Sequence, residues 1–380
     1  MIYADYNATT PVDPEVRAAM VCALEASFGN ASSLHSAGQE ARRLVERARA
    51  QAAALVGAQP DEILFTSGGT EADNLAVLGV AQATSLAKGG IVTSSIEHQA
   101  VLAPCKHLQE GGRPVTFLPV DADGHLEIAA LADAVKSGVA LFSIMLANNE
   151  TGVIQPLAEV VKAAASCGAV VHTDAVQAVG KMSVDAKALG VSLLSFSSHK
   201  IHGPKGAGAL YVRRNCPLAP LLHGGRQERS LRPGTENVPA IVGFGKACEL
   251  AGARLAADSR RLTLLRDRFE AQILARIAGT RVNGRRETRL PNTSNIAFGD
   301  LDGEAITINL DMLGMAASNG AACSAVDHSP SHVLLAMGQG ESVARSAVRF
   351  SFGRDNTDED IDRAVERVVQ AVNLLRKARS

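Results

Sequence analysis

The chain has 380 residues, 46% of them hydrophobic and 20% charged, with 38 Lys and Arg against 39 Asp and Glu and a formal net charge of -1. This is the composition of an ordinary globular protein, long enough for two domains or for one large domain with a smaller one attached. It argues against a chain built mainly to hold nucleic acid, which needs a clustered positive excess, and no run approaches the roughly 18 uncharged apolar residues of a membrane span.

The N-terminal MIYADYNATT has neither the basic nor the apolar region of a secretory signal, so cytoplasmic residence is the expectation. A helix is predicted over 36–56, with Ser36 as its N-cap and Gly57 as its stop. Short apolar runs at 63–66, 91–94, 115–118, 140–146, 169–172, 193–196 and 209–212 read as buried strands, with helices such as 70–81 and 156–166 between them. That alternation predicts an α/β fold with a mainly parallel, helix-covered sheet. Near residue 258 the texture changes to a charged amphipathic helix, SRRLTLLRDRFEAQILARI, followed by strands at 294–298 and 347–352. The cluster Arg281, Arg285, Arg286 and Arg289 reads as a solvated loop. The last helix opens with Thr357 and Asp360 in capping-box spacing. A second, smaller α+β domain is expected there.

Four loop segments, each just after a predicted strand, carry residue types with chemical potential, at the strand ends where α/β sheets bind ligands. Thr66 to Glu71, TSGGTE, opens a helix whose N-terminal amides could cradle a phosphate, although an ordinary tight turn reads the same way. Glu97-His98 follows the next strand. Asp174, at the mouth of the strand ending in His172, could bind a metal, act as a base, pair with a protonated ring nitrogen or cap a helix. Lys200, after the apolar strand and the Ser-Ser-His donors, is placed to form a Schiff base, as a partly desolvated lysine can. His199 and His202 have no acidic or Cys partner at ligand spacing, so no intrinsic metal is expected. Together, a phosphate-cradling turn, an acid for a pyridine nitrogen, a Schiff-base lysine and an imidazole to lie on a ring are the parts that pyridoxal phosphate requires.

The sequence resembles the class V aminotransferase family and, within it, the cysteine desulfurases of the NifS/IscS type. The resemblance runs from DYNATTPVDP through FTSGGTEADN, EHQAV, NNETGVIQP, HTDAVQAVGK, SSHKIHGPKG and GGRQERSLRPGTEN to VRFSFGR, essentially the whole chain. It implies the fold type I architecture of such enzymes: a large cofactor-binding domain at 14–257, and a small domain made of 1–13 and 258–380. Lys200 would be the cofactor-bearing lysine, and His98 would stack on the ring and shuttle protons. Asp174 would pair with the ring nitrogen and Gln177 with the ring oxygen. Gly69, Thr70, Ser197 and His199 would hold the phosphate, and Thr235 would reach the phosphate of the other subunit of a homodimer. Asn149 would lie beside cofactor and substrate, and Arg349 would clamp the carboxylate of L-cysteine with its guanidinium fork.

Six cysteines, Cys22, Cys105, Cys167, Cys216, Cys248 and Cys323, are scattered with no C-x-x-C pair, fitting neither a disulfide framework nor a zinc site. Cys323 lies in SNGAACSAVDHSP, a run of small residues expected to form a mobile or exposed loop at about 318–330. In the family resembled, the cysteine here takes sulfur from substrate cysteine as a persulfide, leaving alanine. The persulfide then passes to an acceptor protein for iron–sulfur cluster assembly or another thio-modification, and the cysteine transiently ligates a nascent cluster. Relatives read Ser-Ser-Gly-Ser-Ala-Cys-Thr at this point, where this chain has Asn319, Ala321 and Ser324. The competing readings are an aminotransferase or a selenocysteine or cystine lyase that does not need Cys323, and a non-catalytic sulfur carrier or scaffold.

Overall fold

The computed structural model of the protein describes residues 1–83, 89–299, 301–320 and 329–379. Cys323 and its neighbours from 321 to 328 lie outside the described residues. A short strand, β1 (Ile2–Tyr3), is followed by helices α1 (Pro14–Ala26) and α2 (Ser36–Leu55). Alternation then begins with β2 (Ile63–Thr66), α3 (Gly69–Gln82), β3 (Gly90–Ser94), α4 (Gln99–Glu110) and β4 (Val115–Leu118). It continues through α5 (Ile128–Ala134), β5 (Val139–Ser143), α6 (Leu157–Cys167), β6 (Val170–Asp174) and the single turn α7 (Ala186–Leu189) to β7 (Leu193–Ser197) and β8 (Gly208–Val212).

Strands β2 to β8 form one seven-stranded sheet in the order β2-β8-β7-β6-β5-β3-β4. Only β8 runs against its neighbours. Every residue of β5, β6, β7 and β8 is buried; β5 and β8 are almost wholly apolar, while β6 and β7 carry buried His, Thr, Asp and Ser after their apolar starts. The carboxyl ends of the parallel strands therefore open on one edge of the sheet.

The rest of the chain is α8 (Val238–Arg276), β9 (Arg281–Asn283), β10 (Thr293–Ala297), α9 (Gly303–Met312), β11 (Met315–Ala316), α10 (His332–Ala336), α11 (Glu341–Arg345), β12 (Ala347–Ser351) and α12 (Asp358–Arg379). Strands β12, β10 and β9 pair as an antiparallel three-stranded sheet, and β1 pairs with β11. Thr357 and Asp360 cap α12 reciprocally, amide to side chain at 3.0 and 3.1 Å.

The helix expected to start near 258 is instead the second half of α8, a single helix of 39 residues. What changes at 258 is the partner and not the conformation. Ile241, Phe244 and Cys248 of the first half belong to the core beneath the large sheet, whereas Leu262, Leu265, Phe269 and Ile273 pack with β10, β12 and α12 in a second core. No proline interrupts 240–276, and the good helix formers of 253–257 carry the helix across. Helix α2 lies so close to α8 that a Cβ on Gly245 would sit 2.5 Å from Ala48 Cα. The N-cap of α2 is His35 rather than Ser36, its Nδ1 accepting from Gly38 N at 3.3 Å, while Gly57 ends the helix with φ +67°.

The arginine cluster also divides. Arg285 and Arg286 are exposed, but Arg289 is buried and pairs with buried Glu270 at 2.7 Å. Removing one member of such a pair strands a charge in the interior. Arg289→Ala should lower unfolding stability by about 3–5 kcal/mol, whereas the volume-conserving double replacement Arg289→Met with Glu270→Leu should recover most of the loss. Denaturant titration of the three variants measures this, and a loss below about 1 kcal/mol for Arg289→Ala would contradict the buried pair.

Candidate active site

The loops after β2, β3, β5, β6 and β7 converge on a cavity of about 190 Å³. Gly69 and Thr70, the first residues of α3, line one end of it, so the helix N-terminus with its free amides faces the space. A Cβ on Gly69 would meet Val176 Cγ2 at 2.8 Å, so the turn from β2 into α3 tolerates no side chain there. Ser197 and His199 lie at the same end, and Gly69, Thr70, Ser197 and His199 also border an adjoining groove with Ser67 and Lys205. Ser197 Oγ is buried without a hydrogen-bond partner among the described residues. His199 Nδ1 lies 3.1 Å from Thr9 Oγ1, and burial with the nearby charge of Lys200 pushes its pKa down to about 4.

After β3, His98 caps α4, its Nδ1 accepting from Ala100 N at 3.1 Å. Burial, then the charges of Lys200 and His332, push its pKa down to about 4, so the imidazole is neutral near pH 7 and its proton sits on Nε2. After β5, Asn149 lines the cavity with a buried Oδ1 that has no partner. Asp174 ends β6 and holds Val176 N on Oδ1 at 2.8 Å. Burial pushes its pKa up to about 6, against the lowering effect of that amide and of Lys200. No helix begins at Asp174, so it caps a turn rather than a helix: one oxygen orders the turn, and the residue lines the cavity.

Lys200 follows β7 through the turn Ser198–Lys200, and its Nζ donates to the carbonyls of Asn7 and Ala8 at 2.5 and 2.8 Å. Gln177 donates from Nε2 to the same Asn7 carbonyl at 3.0 Å and accepts on Oε1 from Lys181 Nζ at 2.6 Å. His98, Asn149, Asp174, Gln177, Ser197, His199 and Lys200, with Gly69 and Thr70, are therefore brought together around one cavity.

Two expected residues stand elsewhere. Arg349, on β12, is buried and does not line the cavity: its Nη2 pairs with Asp5 at 2.8 Å and its Nη1 donates to Asn149 O at 3.1 Å, leaving Nε without a partner among the described residues. Thr235 is exposed and lies outside the cavity of its own chain. Three polar residues at or behind the cavity had no role assigned from sequence. Asn7 joins Lys181 and Asn292 through Oδ1 and Asn149 and Thr293 through Nδ2. Lys181 is buried, and Asp73 lines the cavity beneath Asp174 with Oδ1 3.6 Å from His172 Nε2. The only local trace of Asn7 was its place in DYNATT, since its partners are 142 or more residues away.

The donor set fits a planar phosphorylated pyridine aldehyde. An unpartnered hydroxyl and a helix N-terminus lie at one end, a buried carboxylate and an amide donor at the other, and a primary amine and an imidazole stand beside them.

Comparison with known proteins agrees with this geometry. The aminotransferase class-V family profile matches residues 2–364. The cysteine desulfurase IscS of Dictyoglomus turgidum is 45% identical over 99% of this chain and 95% of its own length. A solved NifS-like protein superposes with a TM-score of 0.92 at 37% identity, covering 98% of this chain and all of that one. SspA in complex with cysteine superposes with a TM-score of 0.83 at 35% identity, over 94% of this chain and 100% of that one.

Glu97, buried behind the cavity, accepts from Met145 N at 3.0 Å and from Ser94 Oγ at 2.5 Å, and burial pushes its pKa up to about 8. A folded-state pKa raised above the unfolded value of 4.5 means that stability is lost as pH rises through the folded value. The depressed histidines work the other way but finish titrating near 6.5 in the unfolded chain. Glu97 should therefore subtract stability from the cofactor-free protein as pH rises from about 4.5 to 8, and Glu97→Gln should remove that part of the slope. Equal slopes for the two proteins in chemical denaturation would contradict the assignment.

Proposed function

Because this chain belongs to the aminotransferase class-V family, and is, like its full-length relatives, a cysteine desulfurase working with pyridoxal phosphate, we propose that the residues around the cavity divide the reaction as follows. Bound there, pyridoxal phosphate supplies an electron sink that weakens the bonds next to the substrate's amino group. The observation that carries the assignment is the convergence of Lys200, Asp174, His98 and Gln177 on one cavity from three separate loops, those after β3, β6 and β7.

Lys200 carries the cofactor, and Gly69, Thr70, Ser197 and His199 hold its phosphate at the N-terminus of α3. Asp174 supplies the negative charge that keeps a ring nitrogen protonated, and Gln177 offers an N–H to the ring oxygen. His98 lies on the ring. With Nδ1 committed to Ala100 N, its Nε2 holds the proton, so His98 delivers a proton at the reacting centre before it can accept one. Asn149 and the unpartnered Nε of Arg349 receive the substrate carboxylate, with Asp5 fixing the guanidinium from the far side. We read residues 14–257 as the unit that binds the cofactor, and 1–13 with 258–380 as the unit that brings Arg349 and Cys323.

Cys323 is the sulfur acceptor. Its thiolate attacks the sulfur of bound cysteine, an S–S bond forms as the substrate's Cβ–S bond breaks, and the carbon takes a proton to leave alanine. The persulfide passes to an acceptor protein, for iron–sulfur cluster assembly or another thio-modification. In a homodimer, Thr235 would reach the partner's phosphate. Its exposure supports this, as do the large apolar side chains of Phe28 and Leu34, both 89% exposed. The five described cysteines are free thiols, in keeping with a reducing cytoplasm.

Cys323→Ser should bind the cofactor with unchanged visible absorbance but form alanine from cysteine only at background rate when no thiol is added. Unchanged alanine formation would remove Cys323 from the mechanism. His98→Ala should keep the cofactor and lose about 10²–10⁴-fold in kcat, the range for a positioned proton donor, and a change below about threefold would contradict that role.

A further inference from the structure

Lys181 is a buried lysine that the reaction scheme leaves without a task. It is 8% exposed, and among the described residues no carboxylate lies within ion-pair distance of it. Its Nζ donates instead to two neutral acceptors, Asn7 Oδ1 at 2.9 Å and Gln177 Oε1 at 2.6 Å. A lysine kept inside a protein without a counter-charge costs stability, and packing alone would be served as well by methionine. What the lysine does to Gln177 is specific. A primary amide has two acceptor sites on its oxygen and two N–H groups. In Gln177 the oxygen is bound by Lys181, and one N–H is used on Asn7 O at 3.0 Å. Turning the amide over would set its oxygen against the Asn7 carbonyl and its NH2 against the Lys181 amine, losing both bonds. The side chain lines the cavity, so the group left to face it is the second N–H.

We propose that Lys181 is a positioning residue that locks the amide of Gln177 so that it presents a donor, and never an acceptor, to the ring oxygen of the bound cofactor. The lock favours the ionised form of that oxygen. This rests on the reading of Gln177 given above and adds what enforces it. The charged groups acting on Lys181 are Lys200, from the loop after β7, and Arg349, from β12, with His199 also within its field. All are basic, so none replaces Lys181 as a donor to Gln177 while Lys200 and Arg349 keep their own partners.

The test is a double-mutant cycle on the cofactor-loaded protein, read by the pH at which the visible absorbance of the bound cofactor titrates. Lys181→Met, which keeps length and apolar volume, should move that midpoint up by about one pH unit, the size of one hydrogen bond to an ionised oxygen, and weaken cofactor binding. Gln177→Leu should also move it up, and Lys181→Met added to Gln177→Leu should move it no further. If Gln177→Leu leaves the midpoint in place, the reading of Gln177 is wrong and the proposal falls with it. If Gln177→Leu shifts the midpoint but Lys181→Met does not, or shifts it equally in both backgrounds, the lock is refuted and the reading of Gln177 survives. Should Lys181→Met not fold, Lys181→Gln, one bond too short to reach Gln177 Oε1, carries the same comparison with the same expected direction.

Discussion

Two backbone carbonyls, those of Asn7 and Ala8, hold the Lys200 amine, and much of the site is arranged around the short N-terminal segment that supplies them. That segment ties the cavity to both the large sheet and the β10–β12 layer. Its Asp5 pairs with Arg349, and the backbone N of Asn7 donates to Ser351 Oγ on β12 at 2.9 Å. On its other side the Asn7 carbonyl takes Gln177, and Thr10 Oγ1 donates to His199 O at 3.0 Å. A buried asparagine at this junction has its amide and both backbone groups engaged. Any change in the distance between the sheet and the β10–β12 layer is therefore transmitted to the amine that the chemistry needs. A buried polar network of this kind favours one arrangement, because each broken link leaves a desolvated group behind.

The electrostatic character of the cavity follows from the same burial. Asp73, Glu97 and Asp174 are all buried at or behind it, and desolvation raises each of their pKa values. Desolvation likewise lowers those of His98, His199 and Lys181. Acids are pushed towards the protonated form and bases towards the neutral one, so burial lowers the charge that the protein's own groups carry around the cavity. Among the described residues, polar atoms left unmet at or beside the cavity include Ser197 Oγ, Asn149 Oδ1 and Arg349 Nε.

The sheet was legible in the sequence because burial on both faces writes a strand as an unbroken apolar run. The runs at 63–66 and 115–118 coincide with β2 and β4, and β3, β7 and β8 differ from theirs by one residue at one end. The site residues on strand ends were legible for the same reason, since a polar residue after such a run sits at the mouth of the sheet. Long-range pairing was not. The start of α8 was misplaced because hydrophobic texture reports what a helix packs against, and α8 changes cores midway. Arg289 read as solvated because its partner Glu270 lies on that helix, 19 residues earlier. Asp5, Asn7 and Lys181 carry no local periodicity or motif chemistry, and their roles come from contacts made across as many as 344 residues. In the α2 cap, a histidine nitrogen took the place that local preference gave to serine.

Lys200 and Lys181 both reach Asn7, one through its carbonyl and one through its side chain, and only the first lines the cavity. Reducing the cofactor-loaded protein with borohydride fixes the cofactor to the amine that carries it, and peptide mass spectrometry then reads the position. The account predicts the label on Lys200 alone. A label on Lys181, or spread over other lysines, would contradict it.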